Sequence, residues 1–266
     1  MLAVVIPAKN EAGRIQTVMR QVLRLPVSLV FPVLNGCADD TLEIVQRLGD
    51  GRVRPLVFKE SLGYDVPRIA GARAALNAGA RQVLFVDADL AGPLHGRLTT
   101  LVEQARRRAT DLSLSDCYAG TPVPYRDSAA SKVYQARVAL NRALGREDLD
   151  AAIPSHGPVV ASRRLLERVP PAAVGVPPLM QALAIKAGLT VAVGVHIPHH
   201  ELGSAQRDRE HRLRIAETII GDCLAAICLA EGCPADRQGH IGYHAERRFD
   251  LLGLEAPESA APEWIC

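Results

Sequence analysis

Short apolar runs alternate with helical patterns through the first ninety residues, and this alternation leaves the chain few architectures. Residues 2–6 form a continuous apolar run of strand length, after which Ile15, Val18, Met19, Val22 and Leu23 recur at helical spacing. Residues 28–34 repeat the strand pattern, and Pro32, which has no N–H for a ladder, places that strand near a sheet edge. A short helix from Asp40 carries Leu42, Val45 and Leu48 on one face, and residues 53–58 give a third strand. Pro67 suits the first turn of a helix that Gly79 can end, and residues 83–86 form a fourth strand that delivers Asp87 at its end. Such a series predicts an α/β fold with a mostly parallel, doubly wound sheet flanked by helices. Ligands in these sheets bind outside the carboxyl ends of the strands. Polar clusters follow three of the apolar runs at that rim: Lys9-Asn10-Glu11, Asn35-Gly36 and Asp87-Ala88-Asp89.

The second half is less regular. Residues 112–114 read as a strand ending at Ser115-Asp116, and residues 131–144 as a helix that Gly145 can end. Residues 151–162 read as a Pro- and Gly-containing loop, followed by a short helix at 163–168. A helix over 178–187 capped by Gly188 precedes a strand over 190–195, which empties into His196-Ile197-Pro198-His199-His200. A long helix from near Ser204 carries Leu213, Ala216, Ile220, Cys223, Leu224 and Ile227 on its apolar face, with dense charge over residues 206–214. Mixed charge of that kind reads first as a solvated face and second as a grip on a phosphorylated ligand. The chain beyond Gly232 reads as a loosely packed extension. One continuous domain with halves at 1–115 and 116–266 is expected.

Composition narrows the function classes. A formal charge of +2 and an aromatic content of 4% offer neither the basic face nor the stacking platforms of a nucleic-acid binder. The six cysteines form no CxxC pair, which favours free thiols over a disulfide framework. The N-terminus has no basic region ahead of its apolar run, and no apolar stretch reaches transmembrane length, so a cytoplasmic protein is expected.

Asp87-Ala88-Asp89 is the sharpest chemical signal. Two carboxylates one residue apart, just past a buried strand, can share a hard cation and the diphosphate it bridges, as Mg²⁺ and Mn²⁺ require. The competing reading is a solvated helix start.

Three segments carry a resemblance. The stretch from Val4 to Glu11 resembles the first strand and nucleotide-binding loop of family 2-type glycosyltransferases with the GT-A fold. Asn35-Gly36-Cys37-Ala38-Asp39-Asp40 resembles their second-strand motif, and Phe85-Val86-Asp87-Ala88-Asp89-Leu90 their metal-binding motif. The resemblance implies a nucleotide-diphosphate sugar as donor, a UDP-sugar first among them, and Mg²⁺ or Mn²⁺ as cofactor. It puts Pro7, Ala8, Lys9, Asn10, Glu11, Gly36, Gly63 and Ala88 at the nucleotide. Asn35 falls where the family often has the aspartate that reads uracil. Arg68, which follows Gly63-Tyr64-Asp65, falls where the family often sets a basic group on the diphosphate, a surface arginine being the alternative.

Later segments, Gly157–Pro170 and Gly175–Leu179, are similar to the retaining glucosyl-3-phosphoglycerate synthases, which place a histidine ligand after a late strand. His199, and after it His200, stand in a similar place here, alongside Asp87 and Asp89 as metal ligands. Two departures matter. The helix that carries a catalytic base in inverting members reads Val176-Pro177-Pro178-Leu179-Met180, without a carboxylate, and the acceptor-binding Gly-Arg-Val-Thr segment is absent. His156 in the Ser155-His156-Gly157 loop and Asp116 remain candidates for contact with sugar or acceptor, against structural hydrogen bonds. The expected activity is a metal-dependent, retaining hexosyl transfer to an unidentified acceptor, with Asp116, Asp150 and Glu201 as alternative bases. A catalytically silent nucleotide-sugar-binding protein and a nucleotidyltransferase are the rival readings. Oligomeric state is not set by the sequence, and a homodimer stays open.

Overall fold

The computed structural model describes residues 1–118 and 128–257. Strands β1 (Leu2–Ala8), β2 (Leu29–Asn35), β3 (Leu56–Phe58), β4 (Gln82–Phe85), β5 (Leu112–Asp116), β6 (Val159–Ser162) and β7 (Val191–His196) form one sheet. Its order is β3-β2-β1-β4-β6-β5-β7. Every pairing is parallel except those of β6, which runs antiparallel to both β4 and β5.

Helices cover both faces, which is why β1 is apolar throughout rather than alternating. Ala3 and Val5 face one core, shared with α3 (Pro67–Asn77) and α7 (Pro177–Lys186); Val4 and Ile6 face the other, shared with α1 (Ile15–Leu23) and α4 (His95–Arg107). Helix α2 (Thr41–Arg47) adds Val45 to the second core. Short helix α6 (Arg163–Arg168) follows β6, with the Ser162 side chain accepting a bond from the Leu165 N–H at 3.0 Å. A third cluster joins α5 (Ala129–Ala143) to α8 (Arg209–Ala230) through Val133, Leu140, Ile219 and Cys223.

The strand that carries Pro32 lies near an edge as expected: β2 is next to edge strand β3, with Pro32 opposite Ile6 of β1. Backbone groups alternate sides along a strand, and the Val30 N–H bonds Arg52 on the β3 side at 3.0 Å. The nitrogen of Pro32 therefore faces the break between the isolated bridge at Val53 and the start of β3 at Leu56, where no donor is needed. The expected loop at 151–162 ends in β6, because four residues after Gly157-Pro158 are too few to show a period, whereas β4 and β5 supply ladders on both sides. The long helix begins at Arg209 rather than near Ser204, the Asp208 side chain accepting a bond from the His211 N–H at 2.8 Å as its cap, and Leu213 is exposed.

A further correction concerns the chain beyond Gly232, whose described residues 247–249 are anchored in the domain. Phe249 enters the first core, Arg247 is buried, and the Arg248 N–H bonds the Leu62 carbonyl at 2.9 Å. Gly63 makes that approach possible: its φ of +86° is in the left-handed region, and a Cβ there would strike the Glu246 carbonyl.

Candidate active site

The carboxyl ends of β1, β2 and β4 open onto a cavity of about 1250 Å³ whose far wall is the N-terminal half of α8. Pro7, Ala8, Lys9 and Glu11 line it from β1, Asn35 from β2, Gly63 from the loop after β3, and Asp87, Ala88 and Asp89 from β4. His156 and His199 line it from the second half. Asn10, Gly36, Arg68, Asp116 and His200 are not on its wall. Asn10 adopts φ 56° and accepts a bond from the Ala38 N–H at 2.8 Å, tying the first strand-end loop to the second. Gly36, at φ +65°, bonds the Phe58 carbonyl through its N–H at 3.0 Å.

Asn35 does what an aspartate in its place could not. Its Nδ2 donates to the Gly63 carbonyl at 3.0 Å while its Oδ1 accepts from the Leu62 N–H at 2.6 Å, so the side chain clamps the loop that forms one wall. Lys9 Nζ reaches the Ser61 hydroxyl of the same loop at 3.1 Å.

Charge governs the floor. The Asp87 carboxylate accepts two bonds from Nη2 of buried Arg68, at 2.8 and 3.0 Å, and Arg68 Nε lies 3.1 Å from Asp65. The Arg68 guanidinium is thus turned to two carboxylates, and its charge meets the cavity through Asp87. Burial pushes the Asp65 carboxyl up to about 6 against the pull of Arg68 and Arg247. Burial, then the nearby Asp87 and Glu11 charges, push Asp89 up to about 6 as well. Arg207 partly offsets this, bonding Glu11 and lying 4.0 Å from Asp89.

The second half supplies a different chemistry. Arg137, on α5, is only 2% exposed, yet it lines the cavity and pairs with no carboxylate among the described residues. Its Nη1 meets the Tyr118 hydroxyl at 3.0 Å and His156 Nδ1 at 2.9 Å, and its Nε has no partner. Burial and the Arg137 charge hold His156 well below the usual histidine range, so it is a neutral ring at pH 7. His199 packs against His156 with the rings tilted and centroids 5.2 Å apart, and is lowered by the same two causes. His200, its neighbour, is exposed as His199 is, but does not line the cavity. Asp116 bonds the Tyr118 N–H at 2.8 Å and His196 at 3.0 Å, away from the cavity. Sequence reasoning missed Tyr118, Arg137 and the Tyr64–Tyr243 stack at 5.7 Å, both residues of which line the cavity. Arg207 falls in the charged run 206–214, read from the sequence as a second-choice grip on a phosphorylated ligand, and Arg137, a charge amid small and apolar positions of α5, carried a weaker local signal.

Oxygen donors suit a hard divalent cation, and the mutual repulsion that raises Asp89 is what such a cation would relieve. Among the described residues no three His, Cys, Asp or Glu groups gather into a metal cluster. The residues therefore fit a cation completed by phosphate oxygens and water, with Asp87 and Asp89 as its protein ligands, rather than an all-protein cage. No helix among the described residues is long and apolar enough to cross a membrane.

Comparisons with known proteins agree with this architecture. Among solved structures the chain is similar to glucosyl-3-phosphoglycerate synthase from Mycobacterium tuberculosis in complex with Mn²⁺, uridine diphosphate and phosphoglyceric acid. Identity is 20% and the TM-score 0.63, over 85% of this chain and 78% of that one. The same enzyme with Mg²⁺ and uridine diphosphate matches at 20% identity and TM-score 0.62, over 88% and 80%. Its complex with phosphoglyceric acid matches at 22% and 0.62, over 88% and 81%. At such identities the likeness speaks to the fold, a GT-A-like α/β sheet. No curated protein matches the sequence. The model of glycosyl transferase family 2 matches residues 3–169, more than half of the chain, including the three strand ends that build the cavity floor; the chain belongs to glycosyl transferase family 2.

Proposed function

We propose that the protein transfers a sugar from a nucleotide-diphosphate donor, a UDP-sugar, to an acceptor held between α5 and α8. The observation that carries this reading is Asp87-Ala88-Asp89 at the end of β4, facing a cavity whose opposite wall holds Arg207, Arg209 and Arg212. Pro7, Ala8, Glu11 and the Gly63 loop hold the nucleoside. Asp89 and Asp87 hold Mg²⁺ or Mn²⁺, with His199 the nearer of the two histidines. The bound cation would stabilise negative charge on the departing diphosphate. Arg207 stands beside Asp89 and Glu11 and adds a second cationic contact for the diphosphate.

Retention of configuration follows from where the carboxylates are. Helix α7 begins Pro177-Pro178-Leu179-Met180, all buried and without a titratable group. The alternative bases are engaged elsewhere: Asp116 with His196, Asp150 with the Tyr134 hydroxyl at 3.2 Å, and Glu201 with Arg97 at 3.0 Å. None of the three lines the cavity. With these three off the wall, the reading favoured is that the departing diphosphate oxygen takes the acceptor proton. A thermal-shift panel of nucleotide sugars with and without Mn²⁺, followed by proton NMR of the first-formed product from an α-linked donor, tests the reading. A Mn²⁺-dependent rise in Tm, slow donor hydrolysis and an α-linked product are expected. A shift without hydrolysis or transfer points to a silent binding protein, and a β-linked product overturns retention.

Arg137 describes the acceptor. A buried cation costs several kcal/mol; the Tyr118 ring, 5.5 Å from the Arg137 guanidinium, and the bond to His156 offset part of that, and an anionic ligand beside them would offset more. The reading supported by this placement is an acceptor that carries a phosphate or carboxylate next to Arg137, Tyr118 and His156. The similar mycobacterial structure is a complex with Mn²⁺, uridine diphosphate and phosphoglyceric acid. With UDP and Mg²⁺ present, inorganic phosphate should raise the Tm of the wild type and not that of Arg137→Met. Equal shifts in both would remove Arg137 from the acceptor site.

A further inference from the structure

We propose that Asp222 and Arg247, both outside the cavity, are positioning residues that set how Asp87 is presented to a metal, acting through Asp65 and Arg68. The inference rests on the metal reading above. The four residues and Asp87 form a row of alternating buried charge. Asp222, in the interior of α8, accepts two bonds from Arg247, at 2.8 and 2.7 Å, and a further one from Arg237. Arg247 Nη2 lies 3.7 Å from Asp65 Oδ2, Asp65 Oδ1 lies 3.1 Å from Arg68 Nε, and Arg68 Nη2 holds Asp87. Side-chain exposure is 2% at Asp222, 1% at Arg247, 9% at Asp65 and 5% at Arg68, then 35% at Asp87. The row is buried from Asp222 to Arg68 and meets the cavity at Asp65 and at Asp87.

Two features make the row responsive. Asp65 Oδ2, the oxygen nearest Arg247, has no hydrogen-bond partner, so it can accept Arg247 if that side chain loses Asp222. Asp65 also holds φ 62°, a left-handed conformation that is strained for a non-glycine residue and persists where surrounding contacts over-determine it. The charges of Asp87, Asp65 and Asp222 balance those of Arg68, Arg247 and Arg237. At low effective dielectric, changing one member redistributes the rest. Neutralising Asp222 turns Arg247 to Asp65. Arg68, left with less of Asp65, then grips Asp87 harder and competes with a cation. Neutralising Arg247 does the reverse: Asp222 keeps Arg237, Asp65 takes more of Arg68, and Asp87 is released toward the cavity. Opposite signs from two contacting residues separate this relay from simple anchoring of the C-terminal segment, which would weaken in both variants.

The test is calorimetric. UDP affinity is measured with and without Mn²⁺ for wild type, Asp222→Asn, Arg247→Gln and the double variant, with Mn²⁺ electron paramagnetic resonance as a second readout. The quantity compared is the ratio of Kd without Mn²⁺ to Kd with it, which cancels any loosening of the wall common to both. Partners one step behind metal ligands are worth about 10–100-fold in metal affinity. The ratio should fall about 10-fold in Asp222→Asn, rise above wild type in Arg247→Gln and return toward wild type in the double variant. Any other pattern in the two single variants overturns the inference. If Asp222→Asn does not fold, Arg247→Gln decides alone, since an unchanged or lower ratio there is also contrary. A wild type that binds UDP equally with and without Mn²⁺ overturns the metal reading, and this inference with it. A wild type that needs Mn²⁺, beside variants that match it, overturns the relay alone.

Discussion

Asp89→Ala should lose Mn²⁺-dependent binding of UDP by about 100-fold or more while keeping its fold. The magnitude follows from the 10–100-fold worth of residues that merely orient metal ligands, which a direct ligand should equal or exceed. The fold survives because Asp89 lies past the end of β4 and contributes to neither core. Metal-free protein should even gain stability. Burial and the Asp87 and Glu11 carboxylates all work against the Asp89 charge, and Arg207 at 4.0 Å offsets them only partly. Calorimetry with UDP and Mn²⁺, alongside a thermal melt of the metal-free variant, checks both parts. Undiminished Mn²⁺-dependent binding would remove the central claim about the site.

The largest loss of stability is expected from Arg68→Met. Arg68 is 4% exposed and pairs with Asp65 and Asp87, so its removal strands one largely buried carboxylate and frees another. Breaking a buried pair from one side costs about 3–5 kcal/mol. In a domain of this size that is a fall in Tm of roughly 10 °C. The loss should depend on pH with a defined sign. Asp65 already has its folded pKa pushed up to about 6, above the ordinary 3.8, so the folded state binds the extra proton between those values. Its contribution to stability is complete at low pH and is lost as pH rises through 6. Without Arg68 the folded pKa rises further, and the variant should sit closer to wild type at pH 5 than at pH 8. A constant difference across that range would show that Asp65 does not carry the penalty.

The strand-end clusters were legible because each is local. A buried parallel strand announces itself as an apolar run, and the residue after it lies at the rim wherever the strand sits in the sheet. Asp87 and Asp89, Pro7 to Glu11 and Asn35 could therefore be placed at a rim from the sequence. What Asn35 does there was not legible, since its two bonds go to Leu62 and Gly63, whose approach depends on the path after β3. His199 and His200 show the limit of that reading. Both follow β7, but which ring faces the cavity depends on the turn that holds them.

Period and punctuation alone determined the first half of the protein: alternating strands and helices, a rim of polar residues, and a pair of carboxylates suited to a hard cation. The tertiary structure decided everything whose partner is distant in sequence. Strand β6 exists because β4 and β5 flank it, and Pro32 is tolerated in an interior strand because the neighbouring ladder breaks opposite it. Arg137 is a buried cation only because α5 packs beneath α8. The segment around Arg247 has no period of its own. Its place is fixed by charges on Asp65 and Asp222, 182 and 25 residues away, and by a glycine at 63 that leaves room for the Glu246 carbonyl. Local patterns record what a residue costs to bury; long-range pairing of charge depends on which buried residues meet, and only the folded chain specifies that.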